Sequence, residues 1–280
     1  MLVTDEIFEA FLKCETKSFL KYSEAGESQG EFINWQHHLV EEYKQKCRIQ
    51  LRSRFREDQY FLGTLHPLEL ANKDYRLVIG CEVEAQGFQS NIHALELLAS
   101  SRRRKYSPYI PIRFIPDERI TKHHRLILAF DAFVWSKVYG KMPLFGKIIH
   151  GKEQKVAKVK LLGLIEVVKT LADKITAQQI SQTPPQLIII KHCAECEFKE
   201  QCRQAAIEKD ELTLLSRMTT KERSKLHNRG IFSITQLSYT FRPRRKPRRS
   251  FSTRDRYSHA IKALAIREKK IHIAGKPELI

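Results

Sequence analysis

The sequence predicts an α/β core with a mixed central sheet flanked by helices over residues 1–205, followed by a small all-α module over 206–280. Three observations carry that prediction. Apolar residues recur at helical spacing over 4–22 and 31–54, break into short β-like runs between 58 and 115, and return to helical spacing over 119–139. The chain is long enough for one large domain or two modest ones, and its 42% hydrophobic content supplies a core. Towards the C-terminus the periodic stretches are short, helical and rich in Lys and Arg.

Taken in order, Ile7, Phe8, Phe11, Leu12, Phe19 and Leu20 predict one helix over 4–22, with Cys14 inside it. Gly26 and Gly30 bracket a break. The next helix, 31–54, carries Phe32, Trp35, Leu39 and Tyr43 on one face, and it also carries His37, His38, Glu41 and Glu42, which read as solvated groups. Strands are expected at 60–62, 75–79, 88–98 and 109–115. Leu126, Ile127, Phe130, Phe133, Val134 and Val138 set the helix over 119–139, closed by Gly140. Residues 144–150 and 156–164 read as an edge hairpin, the second run passing into a helix through Ile175. Thr183-Pro184-Pro185 then stops that helix.

Three of the six cysteines follow at once, Cys193, Cys196 and Cys202, spaced C-x2-C-x5-C. A C-x2-C turn can place two thiolates on one ion, and the x5 step brings a third sulfur round on the start of a helix. A soft thiolate set selects zinc or an iron–sulfur cluster. Cys14 is the obvious fourth donor. A site so closed would span a loop of about 180 residues and act as a structural staple. Free buried thiols are the plain alternative.

The formal charge is +18, which calls for a polyanionic partner. From Arg203 onward there are 20 Lys/Arg against 7 Asp/Glu, so the excess is concentrated in the last quarter. Nucleic acid is the expected partner. No apolar run approaches the length of a membrane span, and the acidic start, Met1-Leu2-Val3-Thr4-Asp5-Glu6, is unlike a signal peptide. The expected setting is therefore the reducing cytoplasm, where clustered cysteines bind metals more often than they pair.

Within the C-terminal module, Thr219 and Glu222 form a capping-box pattern and Gly230 a helix stop. Residues 229–237 then start another helix. This helical-hairpin grammar suits a loop whose N–H groups face phosphate, although a Gly between short helices is also ordinary packing. The following arm, within 239–252, places Arg242, Arg244, Arg245, Lys246, Arg248 and Arg249 among two prolines, so it is extended. Six phosphate contacts would give a salt slope of about −5 on duplex DNA and about −4 on single strands. Tyr239, Phe241 and Phe251 flank the arm and can stack on unpaired bases; the alternative is an unengaged linker. No G-x4-G-K-[ST] motif is present, so helicase activity would have to come from a partner.

The cysteine pattern, together with Leu237-Ser238-Tyr239-Thr240-Phe241-Arg242-Pro243-Arg244-Arg245, resembles the RecB-like nucleases, which carry an iron–sulfur staple around a PD-(D/E)xK domain, as AddB-type and CRISPR-adaptation nucleases do. The resemblance covers most of the chain. It implies a restriction-endonuclease-like core, a 4Fe-4S cluster on Cys14, Cys193, Cys196 and Cys202 with zinc as the alternative, and a role in DNA processing or repair, DNA being favoured over RNA and a nuclease or helicase being a candidate partner. It also implies an Asp at the end of one strand, a Glu-x-Lys on the next, and Mg²⁺ or Mn²⁺ for phosphodiester hydrolysis. In such nucleases a His or Glu on the helix before the sheet can join the metal site, which would give His37, His38, Glu41 or Glu42 a role.

Here the sequence departs from that pattern. His93 stands where the Asp is expected, Pro111 and Arg113 where Glu and Lys would fall, and His124 and Leu128 near the Gln-x3-Tyr positions of the following helix. Arg cannot serve as a base near neutral pH. Glu82 and Glu96 are the nearby carboxylates that could substitute. The candidate catalytic set is thus Glu82, His93, Glu96 and Arg113, in an eroded or altered site; the alternatives are an intact nuclease in another register and a non-catalytic nucleic-acid-binding or scaffold subunit whose metal is a staple only.

Overall fold

The protein is described here from a computed structural model, over residues 2–23, 31–64, 75–98, 106–215, 218–241 and 258–271. The chain forms two compact units, Met1–Pro185 and Gln186–Ile280. The sequence placed the division after residue 205; the observed one puts segment 191–202 and its three cysteines in the second unit.

The first unit runs β1 (Val3–Thr4), α1 (Asp5–Lys13), α2 (Glu15–Tyr22), α3 (Glu31–Arg52), β2 (Tyr60–Leu62), β3 (Leu77–Ala85), β4 (Phe88–Leu97), β5 (Tyr109–Ile115), α4 (Lys122–Tyr139), β6 (Phe145–His150), β7 (Lys155–Lys160) and α5 (Leu162–Ser181). Among the described residues seven strands form one mixed sheet, ordered β2-β3-β4-β5-β6-β7, with β1 pairing β4 off that path. Strands β3, β4 and β5 form an antiparallel meander, and β6 returns parallel to β5. A parallel return needs a crossover, which α4 supplies. Thr121 caps α4 through the His124 N–H, and Gly140, at φ +78°, ends it in the left-handed conformation.

Apolar side chains cover both faces of the sheet. Phe8 of α1, Phe130 and Trp135 of α4 and Val168 of α5 gather with Val78, Ile92, Leu95 and Ile148. Cys47 and Leu51 of α3 gather with Ile79, Ala94, Ile112, Phe114 and Ile149 on the other side. Residues Leu126 to Trp135 of α4 are buried without interruption, so this helix is core on every side.

The chain departs from the expected pattern at two places. The helix predicted over 4–22 is two helices, because Cys14 is extended (φ −164°, ψ 127°) and forms the joint between α1 and α2. The chain doubles back there: the Ser18 hydroxyl donates to the Ile7 carbonyl at 3.1 Å, whereas eleven residues of straight helix would span about 16 Å. The second departure is in the β3–β4 hairpin. Ile79 pairs Ala94 and Cys81 pairs Ile92, leaving Gly80 opposite His93. Gly80 sits at φ +72°, open only to glycine without strain. The alternation changes phase there, so Val78, Cys81 and Val83 all join the face under α4.

The second unit contains a 3₁₀ turn (Lys191–Glu195), α6 (Lys199–Glu208), a 3₁₀ turn (Leu212–Leu214), α7 (Thr220–His227), α8 (Ile234–Ser238) and α9 (Ser258–Glu268). Its small core is built from Leu212, Leu215, Ile234, Leu237 and Ala263. A buried ion pair between Arg223 and Glu211, at 2.9 Å, ties α7 to the preceding turn. The capping box at Thr219 and Glu222 forms as the sequence predicts. Among the described residues no helix is long and apolar enough to cross a membrane.

Candidate functional site

The strand pair expected to carry catalysis is β4 and β5, and each of its candidate residues is committed to another interaction. His93 lies where β4 and β5 diverge, since their pairing runs from Ala94–Ile112 to Leu97–Tyr109 only. Its Nδ1 accepts the Phe114 N–H at 2.9 Å, in place of a ladder carbonyl. Only a neutral ring tautomer can accept there. Burial, with Arg113, Lys44 and Arg48 nearby, holds the imidazole well below its ordinary pKa.

A folded pKa depressed below the unfolded value contributes stability above about 6.5 and loses it as pH falls towards the folded value. The stability gap between wild type and His93→Ala should therefore narrow as pH drops from 7 to 5 in denaturant titrations. A gap that stays constant would mean the ring is not held neutral by the fold.

Arg113 points the other way, into the core under α1 and α4. Its guanidinium pairs with Asp131 of α4 (Nε to Oδ2, 2.9 Å) and with Asp5 of α1 (NH2 to Oδ2, 2.6 Å). Ser90 Oγ donates to Asp131 at 2.7 Å. Asp131 is wholly buried, and burial pushes its carboxyl up to about 7 against the pull of Arg113. The two carboxylates in turn raise the Arg113 pKa, which keeps the cation charged despite its burial. The residue at the expected lysine position is thus the centre of a buried ion network. The sequence reading missed Asp131, although one acid inside an otherwise apolar helix was its visible signal.

Glu96 and Lys147 pair at 2.5 Å, half-buried, beside a cavity of ≈ 50 Å³ walled by Leu51, Phe55, Ile112 and Ile149 on the α3 side. Glu82 is exposed and accepts a hydrogen bond from the Gln89 side chain. Glu82, His93, Glu96 and Arg113 therefore do not converge: Arg113 serves the α4 side, and Glu96 serves the α3 side. His124 is a cap, its Nδ1 accepting the Thr121 N–H and its Nε2 lying 3.1 Å from Asp117, while Leu128 is core. On α3, His37, His38, Glu41 and Glu42 are exposed, with His38 beside Glu42 and Glu41 beside Lys44. Among the described residues no group of three or more His, Cys, Asp or Glu is arranged to hold a metal ion. The described carboxylates do not fit a catalytic Mg²⁺ or Mn²⁺, and no hydrolytic step follows from them.

No family model and no curated protein matches this chain.

The cysteine segment has the local backbone its spacing predicts. Cys193 lies in the 3₁₀ turn and Cys196 follows it, with the Cys196 N–H donating to the Cys193 carbonyl; Cys202 sits on the first turns of α6, its N–H on the Phe198 carbonyl. The Ile190 N–H is directed at Cys193 Sγ at 3.4 Å, the kind of contact that favours a thiolate. Donor chemistry and turn geometry suit a soft metal, though the sulfurs are not drawn into a metal-holding group here. Cys14 belongs to the first unit and the other three to the second.

The helical hairpin of the second unit differs from the expectation that its loop amides face phosphate. Arg229 N donates to Leu226, Gly230 N to His227 and Ile231 N to Leu226. Phe232 N and Ser233 N donate to the Gln236 side chain, Ile234 N to the Asp210 carbonyl and Thr235 N to the Asp210 carboxylate. Every amide from 229 to 235 is satisfied internally, so none is left to receive an anion. Around this loop Lys225 and Arg229 are exposed. The six cations of the predicted arm, Arg242, Arg244, Arg245, Lys246, Arg248 and Arg249, lie outside the described residues.

Proposed function

We propose that this protein is a nucleic-acid-binding member of the RecB-like nuclease family, with a restriction-endonuclease-like first unit that has lost the hydrolytic site and a structural metal held by thiolates. The reading rests above all on the fate of the two key positions. His93, at the Asp position, is a backbone acceptor, and Arg113, at the lysine position, is locked between Asp131 and Asp5. The order helix, antiparallel strand pair, helix and parallel strand, realised by α3, β4, β5, α4 and β6, agrees with the resemblance. The +18 charge, concentrated after residue 202, supplies the attraction to a polyanion, with DNA as the substrate class the resemblance favours.

Within this reading Cys193, Cys196 and Cys202 contribute thiolates to a 4Fe-4S cluster whose role is to brace the fold. The protein itself grips the strand for processing by a partner. The direct test incubates purified protein and Mn²⁺ with single- and double-stranded DNA. Binding without cutting is the expected result. Robust metal-dependent cleavage, abolished by Glu82→Ala or Glu96→Ala, would overturn the catalytically silent reading.

A further inference from the structure

We propose that the second unit reads unpaired bases, through an aromatic platform at Tyr239 backed by Arg267. This deepens the nucleic-acid reading and rests on it, naming single strands as the class recognised. Tyr239 follows α8 and is 71% exposed, an unusual position for so large a ring. The Arg267 guanidinium of α9 lies 4.4 Å from the ring centroid. That cation is itself fixed, donating through NH1 to Ser238 Oγ at 2.9 Å and through NH2 to Glu268 at 3.1 Å. One face of the ring is thus occupied by a positioned cation, and the ring remains largely open to solvent.

Such a half-finished stack suits a nucleobase, because every base has a π-face and an adjoining arginine adds attraction to the stack and to the neighbouring phosphate. A duplex keeps its bases stacked on one another and offers the platform nothing. Two further observations favour the single strand. The hairpin amides, the usual means of gripping a duplex backbone, are all used internally. A second ring, Phe232, is 56% exposed at the other end of α8, beside His227. Among the described residues the hairpin therefore presents exposed side-chain rings at Phe232 and Tyr239, and no free backbone donor between 229 and 235.

The experiment measures binding of an unstructured single strand containing 2-aminopurine, of the same strand made abasic, and of a duplex, over a range of salt. Tyr239→Ala should weaken single-strand binding by about 5- to 150-fold and abolish 2-aminopurine quenching. Its salt slope should stay unchanged, since no phosphate contact is removed. Tyr239→Phe should bind as wild type, and the abasic strand should not distinguish wild type from Tyr239→Ala. Equal loss on duplex and single strand, or no loss on either, overturns the platform while leaving the nucleic-acid reading in place. A wild-type protein that binds no strand of any form overturns both.

Discussion

Replacing Arg113 with alanine should lower the unfolding free energy of the first unit by about 3–5 kcal/mol, because it strands two carboxylates without their cation. Asp131 is wholly buried and Asp5 nearly so, and Ser90 alone cannot neutralise the charge left behind. Urea titration with an unchanged slope would report the loss as a lower midpoint. The sign of its pH dependence follows from Asp131, whose folded pKa is already raised to about 7. A raised group contributes stability at low pH that is lost as pH rises through the folded value. Removing Arg113 raises that value further, so the cost of the mutation should shrink as the pH is lowered. Converting the whole network to apolar residues of similar volume (Arg113→Met with Asp131→Leu and Asp5→Leu) should cost far less than the single change. A single-mutant cost below about 1 kcal/mol would mean that water reaches the network and screens it.

The second large effect concerns the thiolates. In a metal-bound domain the binding free energy is folding free energy, about 10–16 kcal/mol for structural zinc peptides. On the proposed reading, Cys196→Ser should therefore strip the metal and leave the protein aggregated or unfolded. Iron and zinc content, with the visible absorbance of anaerobically purified protein, provides the measurement. A brown protein containing iron agrees with the cluster; a colourless protein with one zinc retains the four-thiolate site but removes the iron–sulfur assignment. Absence of both metals, with unchanged stability in Cys196→Ser, would sink the metal altogether.

The layered architecture was legible because its signals are periodic. The run from Leu126 to Trp135, apolar but for Asp131, reads as a core helix, and the fully buried β5 is read from Tyr109 to Ile115. The irregular points were not legible, and they are where the candidate site lies. Cys14 appeared mid-helix because periodicity ignores a single extended residue whose flanks are both helical. The phase change at Gly80 and His93 is set by one left-handed glycine and one side-chain acceptor, neither of which alters composition. Arg113 looked like a misplaced catalytic group because its partners Asp5 and Asp131 are distant in sequence and no local pattern announces them. That the hairpin follows its ordinary-packing alternative was hidden for a similar reason: its amides are consumed by Gln236 and by Asp210, the latter 25 residues upstream of Thr235.

The Asp5–Arg113 pair also fixes a timetable for the nascent chain. Its partners are 108 residues apart, and the Gln179 side chain reaches the Leu2 carbonyl across 177. At about 5–20 residues per second, the first contact waits roughly 5–22 s and the second roughly 9–35 s after the leading residues are made. During that interval α1 has no sheet to cover, and Phe8, which ends wholly buried against Phe130, stays exposed. Docking of α1 can begin only once these partners have been made, an interval set by the ribosome and not by the helix's own rate of formation.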